Sequence, residues 1–277
     1  VTISTISISI NSHRMEWKIG QVLKPDLNTT HPNHTHTPAP AHIDSLSYHA
    51  HGEHLLAASS HADRLFLVNA VTGTLEKTVN SQRVGCRLAQ FTHHPQCVLF
   101  ASDGGRIPGG VDVQLLSFHD NVILRQFITG VEEELDCLSM NPVSDVFMTS
   151  GRGSVKLFDL GSPTTKPIAE MRLPIPSSPT GSTTGCVLSA FDPQGLVFAV
   201  CRDDHLLSLY DVSRCQSGPF ATFDLTDPYG TIGVWTQCRF SPDGKLILLN
   251  DAKNSLLHIV DSFEGQCVNT IKYSQQA

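Results

Sequence analysis

Fourteen histidines, eight cysteines and plentiful serine, threonine and aspartate give this 277-residue chain an inventory for several chemistries. A nucleophilic triad needs Ser, His and Asp in one geometry, yet no Gly-x-Ser-x-Gly elbow presents a serine for attack. His31, His34, His36 and His42 share a Thr/Pro-rich tract, a composition able to bind metal. No Cys or carboxylate cluster accompanies them, and Pro32, Pro38 and Pro40 favour an extended insertion. A metal-dependent or peptide-processing enzyme built on this tract is the reading from the enzyme class, and loss of a stoichiometric metal on deleting residues 31–42 would support it. Gly104 to Gly110 is glycine-rich but lacks the Gly-Lys-Ser/Thr ending of a phosphate loop, so it reads as a hairpin loop. Asp203-Asp204 precedes an apolar run, where a structural turn carboxylate belongs, and Glu132-Glu133-Glu134 reads as a solvated loop. The expectation is no catalytic residue, no cofactor and no metal.

The cysteines make no Cys-x-x-Cys pair. Cys86, Cys137, Cys186 and Cys238 each sit in an apolar run and read as small buried hydrophobes of a reducing compartment, nucleus or cytosol. A net charge of −7 argues against non-specific nucleic-acid binding, which needs a basic footprint. No apolar run approaches the roughly 20 residues of a membrane helix. Asn28 and Asn33 match the glycosylation pattern, but no secretory signal is evident, so they are expected to stay unmodified.

What would position any of these residues is a repeat. Five times between Ile43 and Tyr273 an apolar run leads into a Pro/Gly/Asp/His/Asn turn, a second apolar run, a polar turn and a third run. The first turns open at Tyr48, Phe91, Met140, Phe191 and Phe240, spaced 43 to 51 residues apart. The third runs end at Val68-Asn69, Leu116-Ser117, Phe158-Asp159, Tyr210-Asp211 and Val260-Asp261, spaced 42 to 52. Short strands at a period in the forties mark a WD-type β-propeller, whose four-stranded blades bury their faces against one another. The fold class expected is therefore all-β, with 43–273 as propeller blades. A β-sandwich is the competing architecture. Residues 15–42 read as an N-terminal strand plus the His/Pro-rich insertion, and 274–277 as a tail. Residues 1–14, with Ile alternating against Ser and Thr, read as an unstructured or spurious leader, or else as a genuine edge strand. Pro174 to Gly185 reads as a second surface insertion, and its Ser178-Pro179 is a potential phosphorylation site.

Beyond the general repeat, five segments occur in order: Ser117 to Asn121, Leu138 to Asp145, Phe191 to Ala199, Gly218-Pro219-Phe220-Ala221-Thr222-Phe223, and Phe240 to Leu248. This series resembles the WD-repeat subunit of the COMPASS histone-lysine methyltransferase complex, the Swd-two type. The Gly218 to Phe223 element is its most specific part, since generic WD repeats have no need of it. The resemblance implies a seven-bladed ring, of which this chain holds five recognisable blades and is incomplete. In such rings the N-terminal strand, here Met15 to Leu23, completes the last blade. A five-bladed closure would instead pair that strand with the fifth unit.

The resemblance further implies a nuclear, non-catalytic scaffold. Its partners would be histone-lysine methyltransferase subunits and the phosphorylated C-terminal tail of RNA polymerase II. Relatives also occur in protein phosphatase 1 and messenger-RNA cleavage and polyadenylation complexes. In a WD blade the loop into the first strand and the turn between the second and third share one face. Arg83 and Trp235 fall near the former, Arg152 and Arg202 near the latter, a grouping suited to a phosphorylated peptide. The competing reading is four unrelated packing or surface residues. Asp159, Asp203, Asp211 and Asp261 take blade-structural positions. Ser150-Gly151-Arg152-Gly153 lacks the usual WD turn aspartate, which puts the hydrogen bonding of that blade in question.

Overall fold

A computed structural model describes residues 3–11, 14–23, 43–60, 62–81, 85–102, 111–131, 135–174, 186–202, 205–225 and 235–273, with backbone alone through residue 23. β1 (Ile3–Asn11) and β2 (Arg14–Leu23) form an antiparallel hairpin, registered from Asn11↔Arg14 to Ile3↔Leu23. The leader thus takes strand form over Ile3–Asn11, as its period-two Ile/Ser pattern favours. Its partner is β2, which belongs to a two-stranded sheet rather than to the sheet of the fifth repeat.

Each repeat becomes one four-stranded antiparallel sheet, or blade. The first holds β3 (Ser45–Tyr48), β4 (His54–Ser59), β5 (Arg64–Asn69) and β6 (Leu75–Asn80). The second holds β7 (Leu88–Phe91), β8 (Cys97–Ala101), β9 (Val111–Ser117) and β10 (Val122–Val131). The third holds β11 (Cys137–Met140), β12 (Val146–Gly151), β13 (Ser154–Asp159) and β14 (Ala169–Arg172). The fourth holds β15 (Val187–Phe191), β16 (Val197–Arg202), β17 (Leu206–Asp211) and β18 (Ala221–Asp224), with a 3-10 turn over Val212–Ser217. The fifth holds β19 (Trp235–Phe240), β20 (Leu246–Asp251), β21 (Leu256–Asp261) and β22 (Cys267–Lys272). Strand order follows the chain in every sheet, so each blade is a meander closed by short turns.

Two compact units divide the chain: residues 1–106 with 115–124, and residues 107–114 with 125–277. In the first, β3 packs on β7. Leu56, Ala58 and Leu65 share a core with Cys86, Phe91 and Phe100. Polar side chains tie the two blades as well. Ser45 Oγ accepts the Ala89 N–H at 2.9 Å, Cys86 Sγ donates to Ser59 O at 3.4 Å, and Lys77 Nζ donates to Phe118 O.

In the second unit β11, β15 and β19 pack in succession. Phe147 stacks on Phe158 at 4.9 Å, with Phe127 edge-on, and Phe198 stacks on Tyr210 at 5.2 Å. Between the fourth and fifth blades, Leu207, Leu209, Ala199 and Cys201 meet Trp235, Cys238, Ile247, Leu249 and Val260. Each fully buried Leu or Phe of this kind contributes about 1.5–3 kcal/mol. β12 and β16 are covered nearly throughout. β20 alternates instead: Ile247, Leu249 and Asp251 are buried while Leu246, Leu248 and Asn250 are half-buried. The first set faces the fourth blade, and the other face of the fifth blade has no neighbouring blade among the described residues.

Side-chain hydrogen bonds join the third blade to the fourth. Asp136 Oδ2 accepts the Val187 N–H at 2.9 Å and Ser150 Oγ donates to Val187 O at 2.7 Å. Ser189 Oγ donates to Ser150 Oγ at 3.0 Å, and Cys137 Sγ donates to Ser189 O at 3.1 Å. The turn that lacks the WD aspartate is intact. Arg152 (φ 43) and Gly153 (φ 69) supply its left-handed positions, and β12 pairs with β13 from Val146↔Asp159 to Gly151↔Ser154.

At the opposite end of these strands Asn141, fully buried, makes the tightest link. Its Oδ1 accepts the N–H of Val143 and Ser144, and its Nδ2 donates to Gly195 O at 2.8 Å. Gly195 is required there: at φ +69, an added Cβ would lie 2.3 Å from Asn141 Oδ1. Replacing Asn141 by Ala removes the side-chain partner of two turn amides and of the part-buried Gly195 carbonyl. The expected cost is about 2–4 kcal/mol, read as a lower urea midpoint with unchanged slope; a midpoint within error of the parent would refute this role.

Candidate protein-interaction surface

Three of the aspartates assigned to blade structure, Asp159, Asp211 and Asp261, are the last residues of third strands. Asp159 Oδ1 accepts the Gly161 N–H at 2.8 Å. Asp211 Oδ1 accepts from Ser213 N at 2.7 Å and Ser213 Oγ at 2.6 Å, which holds its carboxyl below the usual range. Asp261 Oδ1 takes the amides of Phe263 and Glu264, with the same downward effect. These three organise their own local turns, as short acceptors do. Asp203 lies outside the described residues, as do Arg83, the His31–His42 tract, Gly104 to Gly110, Glu132 to Glu134 and Ser178.

Arg152 is exposed at the tip of the β12–β13 turn. Arg202 ends β16, half-buried, and lines a cleft of about 520 Å³ between the third and fourth blades. Glu170, Arg172, Tyr210 and Gln216 line it too, whereas Arg152 does not. Arg172 is the residue that the sequence reading missed. It pairs across from Ser154, two positions beyond Arg152, and lines the same cleft as Arg202. Its signal in the sequence was faint: a basic residue ending the fourth strand, just before the Pro174 insertion. Glu170 Oε1 sits 3.3 Å from Arg172 Nε and 3.6 Å from Lys156 Nζ. Lys156 Nζ also donates to Thr129 O at 2.6 Å.

Trp235 differs from the arginines in burial. It is 6% exposed, packed in the core between the fourth and fifth blades. Its ring meets His205 at 5.4 Å and His258 at 5.2 Å, both edge-on, and its Nε1–H has no hydrogen-bond partner among the described residues. A side chain so placed acts first as packing.

Among the described residues no group of three His, Cys, Asp or Glu side chains could hold a metal ion, and no helix is long and apolar enough to cross a membrane. All eight cysteines are free thiols. Cys86 and Cys238 are buried, and desolvation pushes each thiol up to about 12. Cys137 and Cys186 are half-buried, and Cys267 is exposed.

Five consecutive four-stranded meanders, with first strands packed on one another within each of the two units, define a WD-repeat β-propeller protein. In the sequence comparisons the chain is 31% identical over 231 residues to WD repeat-containing protein 82 of Drosophila melanogaster, covering 82% of this chain and 66% of that protein. It is 32% identical over 226 residues to COMPASS component SWD2 of Saccharomyces cerevisiae, covering 81% and 62%. It is 30% identical over 227 residues to the Set1 complex component swd2 of Schizosaccharomyces pombe, covering 80% and 57%. The chain belongs to the Swd2-type family of WD-repeat proteins, and it spans somewhat under two thirds of the length of these relatives. No protein-family profile matches it. Among solved structures, hydrazine synthase of Kuenenia stuttgartiensis superposes with a TM-score of 0.63 at 13% identity, over 79% of this chain and 64% of that one. At that identity the likeness is one of fold alone.

The thiol environments give a direct test. Brief alkylation of native protein with iodoacetamide near neutral pH is expected to label Cys267 and spare Cys86 and Cys238, because only an accessible thiolate reacts. Peptide mass spectrometry reads the sites, and labelling of Cys86 or Cys238 at the rate of Cys267 would contradict the packing described.

Proposed function

We propose that this chain is a non-catalytic scaffold subunit of a COMPASS-type histone-lysine methyltransferase complex and acts in the nucleus. The observation that carries this reading is the 32% identity over 81% of the chain to a COMPASS component, joined by the 30% identity to a Set1 complex component. The architecture suits the role. Blades joined through buried cores and side-chain hydrogen bonds offer several fixed surfaces at once. Affinity purification of the tagged chain from nuclear extract is expected to recover the methyltransferase catalytic subunit. A soluble, monodisperse bait that recovers no subunit of such a complex overturns the reading.

The finer proposal concerns the phosphorylated tail of RNA polymerase II. Arg152, Arg172 and Arg202 flank one end of the third and fourth blades, where guanidinium groups can fork onto phosphate oxygens. Arg83 belongs to the same proposal on sequence grounds, whereas the burial of Trp235 suits it to supporting the surface from beneath. Replacing Arg152 and Arg202 together by Ala is expected to weaken binding of a phosphoserine peptide of the tail repeat by on the order of tenfold or more. Fluorescence anisotropy reads the change, and equal affinity for both proteins removes these arginines from the site.

A further inference from the structure

A second cleft, between the fourth and fifth blades, encloses about 460 Å³ and differs in character from the arginine cleft. Four phenylalanines line it: Phe220, Phe223, Phe240 and Phe263. Phe220 is 62% exposed and Phe263 is 76% exposed. One exposed apolar side chain on a soluble surface is ordinary, but two aromatic rings facing water at one concave site mark an interaction surface.

The groups that hold these rings are well fixed. Asp261 Oδ1 accepts the Phe263 N–H at 2.8 Å and the Glu264 N–H at 2.9 Å, which sets the turn carrying Phe263. The Phe220 N–H donates to Leu209 O at 2.9 Å, pinning the start of the fourth strand. Gly265, at φ +69, approaches so closely that an added Cβ would lie 2.1 Å from the Phe223 side chain. Phe220 and Phe223 both come from the Gly218 to Phe223 element, which a generic repeat does not need. Its residues build one wall of this cleft.

The charge of the cleft limits what could fill it. Its fourteen lining residues include two carboxylates, Asp192 and Asp243, and no Lys, Arg or His. Asp192 accepts the amides of its own turn, from Leu196 at 2.8 Å and Val197 at 2.9 Å. Asp243 accepts from Ser241 Oγ at 2.6 Å. Both carboxylates are therefore held in place by groups of their own turns. Lys245 follows Asp243 closely in the chain but is not among the lining residues.

We propose that this cleft binds a short peptide segment of a partner protein, with one aliphatic or aromatic side chain seated among the four phenylalanines and Lys or Arg on either side facing Asp192 and Asp243. Apolar burial supplies the anchor, and the acidic rim selects basic flanks over acidic ones. The proposal deepens the scaffold reading above and rests on it.

The test uses the 277-residue chain on immobilised arrays of short peptides. One array carries a central Leu, Met or Phe between Lys and Arg, and its matched array carries Glu at the flanks. Binding is expected on the basic array only, and to weaken as salt is raised. In an anisotropy titration with the strongest basic peptide, the double variant Phe220→Ala/Phe263→Ala is expected to lose on the order of tenfold or more in affinity. Both rings are largely exposed, so its urea midpoint should match that of the parent, which separates lost binding from lost folding. Equal binding to both arrays, or an unchanged affinity in the double variant, overturns the proposal. If those arms fail while the tagged chain still recovers a methyltransferase complex, this cleft is wrong and the scaffold reading stands. Peptide binding without any such recovery strikes the scaffold reading instead.

Discussion

Everything in this protein depends on one constraint: a four-stranded sheet of some twenty strand residues has two faces to cover and cannot cover either alone. Within each unit the chain meets it by laying the first strand of one blade against the first strand of the next. Apolar burial supplies most of the energy, through Phe198, Leu207 and Leu209 in the fourth blade and Ile247 and Leu249 in the fifth. Direction comes from the polar links. Asn141 reaching Gly195, and Ser150 reaching Val187, fix how far along its neighbour each strand sits. A greasy face alone would tolerate sliding; a buried amide with one available carbonyl does not. The burial of β20 shows the same rule from the other side. Where a neighbouring blade is present the residues are sealed, and on the other face they are half-open.

The useful surfaces follow from how neighbouring blades splay apart beyond those first strands. In the second unit the first strands of neighbouring blades pack together, and clefts lie beside the later strands and their turns. Two such clefts flank the fourth blade, and their chemistries are opposed. The one toward the third blade carries Arg172 and Arg202. The one toward the fifth carries four phenylalanines under an acidic rim. A single blade thereby borders a cleft lined by arginine on one side and a cleft lined by phenylalanine and aspartate on the other.

The repeat was readable because its punctuation is local. Turn residues such as Asp192, Asp243 and Asp261 act on amides within a few positions, so their spacing along the chain reports the strands directly. The third-blade turn shows where such reading fails. Its missing aspartate suggests a weakened blade, yet Arg152 and Gly153 adopt left-handed conformations and Ser150 bonds outward to the next blade. For Trp235 the sequence left a surface anchor and a packing residue both open, and its burial comes from apolar neighbours such as Leu188 and Ala190, which lie far from it along the chain.

By itself, then, the sequence determined the number of blades, their strand order and the family, because alternation, turn chemistry and repeat length are properties of neighbouring residues. Only the tertiary structure decided which side chains share a surface. Arg172 joins Arg202 because β14 folds back beside the turn at Arg152 and the fourth blade packs alongside. Phe220 joins Phe263, more than forty residues away, because the outer parts of two blades converge on one cleft. Such juxtapositions are set by packing between sheets, and packing depends on distances that the order of residues does not encode one position at a time.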